Sequence, residues 1–279
     1  MTLAAIILAG LILAELVALV CRRNWVHWKL GRRQTLVDDA ISALADAVVA
    51  HGDVELPQGR VNRRVLRLAA LELFPVLAGS SRERLTRLAE STGLVHDVIR
   101  TLQRSPRAYA RRTAADELAE IRSAEAAPAL AAGLEDVDPV VRVACVRGLA
   151  WLGDLTELRR MLQVLDGDSL RAPSEAESAM LALARAAPES LVDLEQSGSS
   201  RFARRLAALA LATVGDKRAM PSVLGELAEE NVLLSSVAVR AIERVGGEDA
   251  VASLEHVLAD GSRDVSLRRQ AARALERVR

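Results

Sequence analysis

The sequence predicts an all-α protein: an α-α superhelix of about six stacked helix pairs, preceded by one transmembrane helix. The first supporting observation is composition, because 51% of the 279 residues are hydrophobic but only 2% are aromatic. A core poor in aromatic side chains must be built from Ala, Leu and Val, and Ala and Leu are the strongest helix formers. The second is the recurrence of apolar residues at three- and four-residue spacing, which is the helical period. The third is an N-terminal apolar run long enough to cross a bilayer.

The predicted transmembrane helix is the N-terminal run 2–20 (TLAAIILAGLILAELVALV), within an anchor assigned to residues 1–21. A helix of this length rises about 28 Å, which is close to the hydrocarbon thickness of a bilayer. Glu15 is the only charged residue in the run. A cleaved signal peptide would carry positive charge before its apolar region. None precedes this one, so we expect the anchor to remain on the protein.

A basic and aromatic juxtamembrane linker is predicted over residues 22–36. It contains Arg22, Arg23, Trp25 and Trp28, and such residues are typical of the cytoplasmic end of a transmembrane helix. The positive-inside bias predicts a single-pass protein of the cell (inner) membrane, with the N-terminus outside and the repeats in the cytoplasm.

Two features of the anchor predict contact with another membrane helix. Glu15 places a carboxyl group in hydrocarbon, where ionisable groups either contact a partner or reach towards the interface. Gly10, Ala14 and Ala18 recur at four-residue spacing, and a stripe of small residues allows close helix packing. The partner helix belongs either to another integral membrane protein or to a second copy of this chain.

Residues 37–104 are assigned to divergent N-terminal helical repeats. We expect Pro75 to kink the helix that contains it, because proline lacks an N–H and clashes with the preceding turn. The predicted elements are a helix over 35–50, a loop over 52–60, the kinked helix over 61–78, and helices over 81–92 and 94–104.

Regular helix pairs are predicted over residues 105–279. Short breaks begin at residues 123, 153, 187, 215 and 247, which gives a loose period near 31 residues. One pair is too small to bury its own apolar face, so the pairs must stack. First helices are expected over 106–121, 139–153, 200–215 and 235–246, and second helices over 125–136, 155–167, 218–230 and 248–260.

The run DPVVRVACVRGLAWLG, from Asp138 to Gly153, resembles a HEAT repeat of the short, PBS-lyase-like form common in bacteria. The resemblance implies a HEAT-repeat solenoid. It also implies that Asp138 caps the first helix of its pair and that Arg142 contacts the neighbouring repeat. Pro139 fits the first turn of that helix, where no backbone N–H is needed, and Pro106 is expected to occupy the corresponding position in the preceding repeat.

The resemblance varies along the chain. It is good over 106–168 and 200–262, and poor over 170–199, which lacks the arginine and the Gly-Asp break. The arginine-rich segment 263–279 is expected to form a polar C-terminal helix that caps the stack, because a solenoid needs a polar terminal unit.

No residue is predicted to be catalytic, cofactor-binding or metal-binding. The four histidines, His27, His51, His96 and His256, do not have the three- or four-residue spacing to one another or to cysteine that a metal site on a helix needs. No glycine-rich phosphate loop or nucleophile elbow is present. The sequence therefore predicts a protein that is not an enzyme and has no cofactor.

The formal net charge of zero hides two segments of opposite sign. Residues 60–112 contain twelve arginines and four acidic residues, whereas residues 113–200 contain sixteen acidic residues and seven arginines. The acidic run Glu135, Asp136 and Asp138 is expected to cap helices or to face solvent. Nucleic-acid binding is not expected, because the aromatic residues that would stack on bases are almost absent.

One basic cluster has three possible interpretations. It could be a solvated helix face, a contact with anionic lipid headgroups within residues 22–67, or a docking site for an acidic partner surface. The cluster shares one face of a predicted helix and consists of Arg60, Arg63, Arg64 and Arg67.

These patterns predict a membrane-anchored scaffold or adaptor whose HEAT repeats bind a protein, most naturally an integral membrane protein. The chain is similar to anchored bacterial HEAT proteins associated with membrane glycosyltransferases of the polysaccharide-synthase type, which makes such an enzyme the specific candidate partner. The alternative is a HEAT-like lyase or chaperone for a tetrapyrrole or another small ligand. That function would need a pocket with ordered His, Tyr or Trp side chains, and the only Tyr and Trp residues of the repeats are Tyr109 and Trp151. A homo-oligomer is a third possibility.

Overall fold

The computed structural model describes residues 35, 37–45, 63–228 and 232–278, and within these ranges the only regular elements are helices. This confirms the all-α prediction. The chain divides into two compact units, Met1–Leu94 and Val95–Arg279, called unit 1 and unit 2 below.

The anchor and the linker lie outside the described residues, so the transmembrane helix stays a prediction. In the part of the chain that the structure describes, no helix is both long and apolar enough to cross a membrane. The following predicted contact residues are also outside it: Gly10, Ala14, Glu15, Ala18, Arg22, Arg23, Trp25, Trp28 and Arg60.

Unit 1 contains three described helices: α1 (37–45), α2 (Arg63–Leu73) and α3 (Gly79–Ser91). The buried residues of α1 lie on one face, as expected for an amphipathic helix: Val37, Ala40 and Leu44.

Pro75 ends α2 instead of kinking a longer helix, so the prediction of one helix over 61–78 is wrong. A turn over residues 74–76 follows Leu73, and α3 begins four residues after Pro75. Proline also disfavours the helical conformation of the residue before it, which accounts for a full break after Leu73. Arg82 of α3 then donates a hydrogen bond to the carbonyl of Phe74.

Unit 2 is built from helix pairs. Helix α4 (Leu94–Arg104) leads into it. The first helices are α5 (Ala108–Ile121), α7 (Pro139–Leu152), α9 (Pro173–Ala186), α11 (Arg201–Thr213) and α13 (Val232–Val245). The second helices are α6 (Ala127–Gly133), α8 (Leu158–Asp168), α10 (Pro188–Ser197), α12 (Met220–Ala228) and α14 (Glu248–Ala259). Helix α15 (Val265–Val278) follows them.

The first helices form a continuous row. Each of α5, α7, α9, α11 and α13 packs against the next first helix, and α13 packs against α15. Fully buried alanines such as Ala144, Ala179 and Ala207 let neighbouring helices approach closely. Each second helix packs against first helices beside it. The expected stacking of pairs is therefore confirmed within unit 2.

The turns between helices match the repeat pattern at most breaks. Gly153 and Gly215 have φ of 72° and 93°, the left-handed region that ends a helix at glycine. Asp138 accepts a hydrogen bond from the backbone N–H of Val140 at 2.9 Å, which confirms the implied cap. Pro139 occupies the first position of α7, as expected. Pro106, in contrast, lies before α5 begins at Ala108, so its expected place in a first turn is wrong.

The segment 170–199 forms an ordinary pair, α9 and α10, despite its poor resemblance to the motif. Pro188 opens α10 immediately after α9 and takes the place of the Gly-Asp break.

Helix α15 buries one face, including Leu267, Ala271 and Ala274, against the stack, and exposes Arg269 and Arg273. This is the polar C-terminal helix expected from the sequence.

Candidate protein-binding surface

The candidate surface is the outer face of the row of first helices. Residues that are four positions apart lie on the same face of a helix. The fifth, ninth and thirteenth positions therefore share one face in each of the fourteen-residue helices α5, α7, α9, α13 and α15. We call this surface the first-helix face. Its charged and aromatic members are Arg112, Asp116 and Glu120 on α5; Arg147 and Trp151 on α7; Glu177 and Arg185 on α9; Arg240 and Arg244 on α13; and Arg269, Arg273 and Arg277 on α15.

Three first helices are joined by a shared ionic cluster, the face cluster: Arg112, Asp116, Arg147, Glu175 and Ser178. Arg147 of α7 donates to Asp116 of α5, and donates to Glu175 Oε2 at 3.1 Å and Ser178 Oγ at 3.3 Å on α9. Arg112 of α5 also donates to Glu175 and lies 3.7 Å from Asp116. The cluster therefore ties α5 to α9 directly, across α7.

The face cluster is partly removed from solvent, with the side chains of Arg147 and Glu175 14% and 10% exposed. Burial raises the pKa of Asp116, although Arg147 and Arg112 oppose the shift, and the negative charge of Glu175 adds to it. Two carboxylates thus share two guanidinium groups in a region of reduced solvation.

A second ionic network, the loop-edge ladder, lies where first helices begin. Arg111 binds both carboxylate oxygens of Asp136, at 2.7 and 2.8 Å. Arg142 binds both oxygens of Asp168, at 2.6 and 2.8 Å. Such two-pronged pairs are among the strongest charged hydrogen bonds.

The ladder arginines also bind the loop before their own helix. The Nη1 atom of Arg111 donates to the carbonyl of Ser105 at 3.0 Å, and that of Arg142 donates to the carbonyl of Asp136 at 2.5 Å. Arg204 makes the same contact with Gly198 at 2.7 Å. In all three cases the carbonyl lies six residues before the arginine. The bond from Arg142 to Asp136 confirms the implied contact with the neighbouring repeat.

The expectation that the acidic run caps helices or faces solvent is wrong for Asp136. Its carboxylate is bound by Arg111 in the ladder instead. Burial alone would raise the pKa of Asp136, but hydrogen bonds from Arg111 and from the backbone N–H of Asp138 outweigh it and lower that pKa. The pairing also places Arg111, from the basic stretch of the sequence, against Asp136, from the acidic stretch. The charge segments seen in sequence are thus partly neutralised in space.

Two guanidinium groups contact the ring of Trp151 near the C-terminal end of α7. The guanidinium carbon of Arg122 is 5.7 Å from the ring centroid of Trp151, and that of Arg147 is 6.0 Å from it. Because Arg122 follows the end of α5, this contact and the Asp116–Arg147 pair show that α5 and α7 run in the same direction.

Arg122 adopts a left-handed conformation, with φ of 56° and ψ of 36°. Glycine occupies the corresponding position after α7, at Gly153, and after α13, at Gly246. The left-handed conformation costs a non-glycine residue about 1–2 kcal/mol, whereas an exposed cation–π contact contributes about 0.5–1 kcal/mol. The contact with Trp151 does not fully offset the backbone cost.

The predicted basic cluster is only partly described. Arg63 and Arg64 belong to α2, but their side chains lie outside the described residues. Arg67, also on α2, is half-buried and makes an interaction. The three interpretations of this cluster therefore stay open.

The face cluster and the ladder were missed from sequence, apart from Arg142, because their partners lie 25 to 63 residues apart.

In the described part of the chain, no group of three or more His, Cys, Asp or Glu side chains could hold a metal ion. Cys145 is buried, and this burial raises the pKa of its thiol.

Comparison with known proteins supports the repeat fold. The family model of HEAT repeats matches residues 96–184. None of the curated proteins matches the chain.

Three solved structures are similar at low identity. The complex of CpcE and CpcF of phycocyanin lyase from Nostoc sp. PCC7120 is 17% identical, with a TM-score of 0.42 over 83% of this chain and 99% of that one. A designed armadillo repeat protein is 18% identical, with a TM-score of 0.39 over 66% and 99%. Human deoxyhypusine hydroxylase, in complex with glycerol, is 18% identical, with a TM-score of 0.29 over 88% and 87%. Together with the helix pairs of unit 2, the family match establishes an all-helical, HEAT-like repeat fold.

Proposed function

We propose that this protein is a non-enzymatic scaffold or adaptor whose helical repeats bind a protein partner. The observation that carries the proposal is the unbroken row of first helices from α5 to α15, with its charged and aromatic outer face. Six helices at spacings of about 8–10 Å make a row on the order of 45 Å long. Helical repeat proteins use extended surfaces of this kind to bind partners.

The face cluster supports this proposal because it holds the surface in one arrangement. Arg112 and Arg147 link three helices of the row through Glu175 and Asp116. A surface whose side chains are already ordered loses less conformational entropy on binding than a mobile one.

We further propose that residues 2–20 anchor the repeats to the cytoplasmic side of the inner membrane. The support is the apolar run and the basic, aromatic linker that follows it. A reporter enzyme fused after Arg279 should be active only in the cytoplasm. Activity of the same reporter outside the inner membrane would contradict this topology.

The proposed partner is an integral membrane protein, and a membrane glycosyltransferase of the polysaccharide-synthase type is the specific candidate. In the membrane, the partner would contact the stripe around Glu15. At the membrane surface, the linker and the α2 arginines would contact anionic headgroups. Charge reversal at Arg60, Arg63, Arg64 and Arg67 should then weaken the complex with the partner or the binding to anionic liposomes, and unchanged behaviour in both assays would favour the solvated-face interpretation.

Affinity purification of the full-length protein in detergent tests the central proposal. We expect a second protein to co-purify in stoichiometric amount through washes at moderate salt. Recovery of the protein alone, or of a second copy of it alone, would contradict the adaptor function.

The alternative, a tetrapyrrole lyase or chaperone, is not favoured by any arrangement among the described residues. Tyr109 lies near the start of α5 and Trp151 near the end of α7, and these helices run in the same direction. The two aromatic side chains are therefore separated by about 16 Å along the row's helix axes.

A further inference from the structure

We infer that one edge of the first-helix face binds an extended acidic segment of the protein partner, an inference that rests on the proposed scaffold function. The edge is formed where first helices end, and we call it the arginine–tryptophan edge. Its members are Arg122, Trp151, Arg185 and Arg244.

Three of the four residues occupy equivalent places along the row, because Trp151, Arg185 and Arg244 are each the thirteenth residue of a fourteen-residue first helix. The thirteenth residue of α5 is Glu120, and Arg122 lies two positions further on, with its guanidinium group over the ring of Trp151. Because successive first helices run in the same direction and pack side by side, these positions fall along one edge.

Arg122, Arg185 and Arg244 are exposed, and among the side chains that the structure describes none of the three has an ion-pair partner. Glu120 of α5 is an acidic residue at the same end of the row. Arg147, beneath Trp151, differs because Asp116 and Glu175 already neutralise it. An incoming carboxylate would therefore meet unpaired guanidinium groups, which bind carboxylates in a two-pronged fashion.

The helix dipole explains only in part why arginines occur at this edge. Cations are favoured near helix C-termini, which accounts for Arg185 and Arg244 in part. Arg122, however, adopts the left-handed conformation in which other repeats use glycine, so its side chain is kept at a cost to the backbone. Backbone strain that persists in a fold is concentrated at functional sites.

The edge fits a protein segment in composition and in length. Tryptophan and arginine are the residues that most often dominate the energy of protein interfaces, and the guanidinium groups of Arg122 and Arg147 both contact the Trp151 ring. The helices α5, α9 and α13 are two steps apart in the row, on the order of 18 Å. An extended chain covers that span in about five or six residues. The partner segment would therefore present one carboxylate to each of these helices if its acidic residues lie about five or six residues apart.

A labelled acidic peptide provides the test. The probe is a fluorescein-labelled peptide of alternating glutamate and alanine, about twelve residues long, titrated with full-length protein in detergent and followed by anisotropy. The control peptide has glutamine in place of glutamate. We expect saturable binding of the glutamate peptide and at least tenfold weaker binding of the glutamine peptide.

Variants of the edge separate binding from folding. Arg122→Gly should keep or raise the thermal midpoint, because glycine suits the left-handed conformation, yet should weaken peptide binding at least fivefold. Arg185→Glu and Trp151→Ala should weaken it as well. The matched control is Arg159→Glu, which makes the same charge change at an exposed arginine of second helix α8, and it should leave peptide binding unchanged.

Three results would overturn the inference. The first two are no saturable binding of the glutamate peptide, and equal peptide binding by Arg122→Gly and the wild type. The third is complete displacement of the peptide by anionic vesicles that contain no protein, which would assign the edge to lipid. If Arg185→Glu retains the co-purifying partner in full, the scaffold function stands and this inference fails. If no partner co-purifies, the scaffold function itself fails.

Discussion

The loop-edge ladder and the face cluster are built from the same residue types, but they share charge differently. In the ladder, each guanidinium meets one carboxylate through two hydrogen bonds, as in Arg142 and Asp168. In the face cluster, two carboxylates share two guanidinium groups. The pKa of Asp136 is lowered, whereas that of Asp116 is raised.

This difference indicates two roles. The ladder stabilises the charged form of Asp136. It joins consecutive helix pairs at that residue, because Arg111 binds the carboxylate of Asp136 and Arg142 binds its carbonyl, so it acts as a structural lock. The face cluster occurs where α5, α7 and α9 present their outer side chains, and it leaves one carboxylate less well stabilised. We therefore expect mutations in the ladder to act mainly on stability, and mutations on the face to act more on binding.

Replacing a ladder arginine is expected to have the largest effect. Arg142→Ala removes both short hydrogen bonds to Asp168, whose side chain is 8% exposed, and leaves it only the 3.5 Å contact with Arg171, so we expect a loss of about 3 kcal/mol in the free energy of unfolding. Urea denaturation measures it. The control is Arg160→Ala, because the Arg160–Glu135 pair is exposed and its loss should cost less than about 1 kcal/mol. Equal losses would contradict the structural role of the ladder.

The face cluster should be weaker and more strongly coupled. Arg147→Ala leaves Asp116 and Glu175 with Arg112 alone, and we expect a loss of about 2 kcal/mol. A double-mutant cycle with Glu175→Gln should give a coupling energy of about 1 kcal/mol, because Arg112 shares Glu175 with Arg147. Additive effects in this cycle would show that the charges are not shared.

Asp136 of the ladder and Asp116 of the face cluster should respond to pH with opposite sign. The lowered pKa of Asp136 means that its stabilisation is present above its unfolded pKa and is lost as the pH falls through the folded value. The raised pKa of Asp116 means that its contribution is present at low pH and is lost as the pH rises through the folded value.

Neutral substitutions test this contrast. At neutral pH, Asp136→Asn should destabilise the protein more than Asp116→Asn, and the difference should shrink as the medium becomes acidic. Unfolding free energies measured across the acid range provide the comparison. A difference that grows on acidification would contradict the assigned pKa directions.

Salt should have the smallest effect and should again separate exposed pairs from the ladder. Raising ionic strength from about 0.1 to about 1 M shortens the Debye length from about 10 to about 3 Å. The small loss caused by Arg160→Ala should then vanish, whereas the loss caused by Arg142→Ala should change little. Equal salt sensitivity of the two losses in urea denaturation would be inconsistent with the burial of the ladder.

The sequence predicts the helix pairs well because their determinants are local. Apolar periodicity, the cap at Asp138 and the glycine turns at Gly153 and Gly215 lie within single repeats, and each is found where expected. The pair α9–α10 was harder to recognise, because Pro188 replaces the Gly-Asp break.

The candidate surface could not be predicted in the same way. The partners Arg112 and Glu175 lie 63 residues apart, and their meeting depends on how tightly three alanine-rich helices pack. The left-handed conformation of Arg122 was also hidden, because nothing in its residue type indicates it. Alignment of the fourteen-residue helices by position could have brought together Trp151, Arg185 and Arg244, but not Arg122, which lies beyond the end of α5.

We propose that a protein partner binds the first-helix face, whereas the loop-edge ladder only holds the helix pairs together. Site-specific photo-crosslinking tests it most directly, with a photoreactive phenylalanine placed in cells either at position 185 on the face or at position 137 on the loop edge. Val137 is 88% exposed, so both probes can reach a partner. We expect a crosslink from position 185 to the protein that co-purifies, and none from position 137. A crosslink to that protein from position 137, with none from position 185, would contradict it.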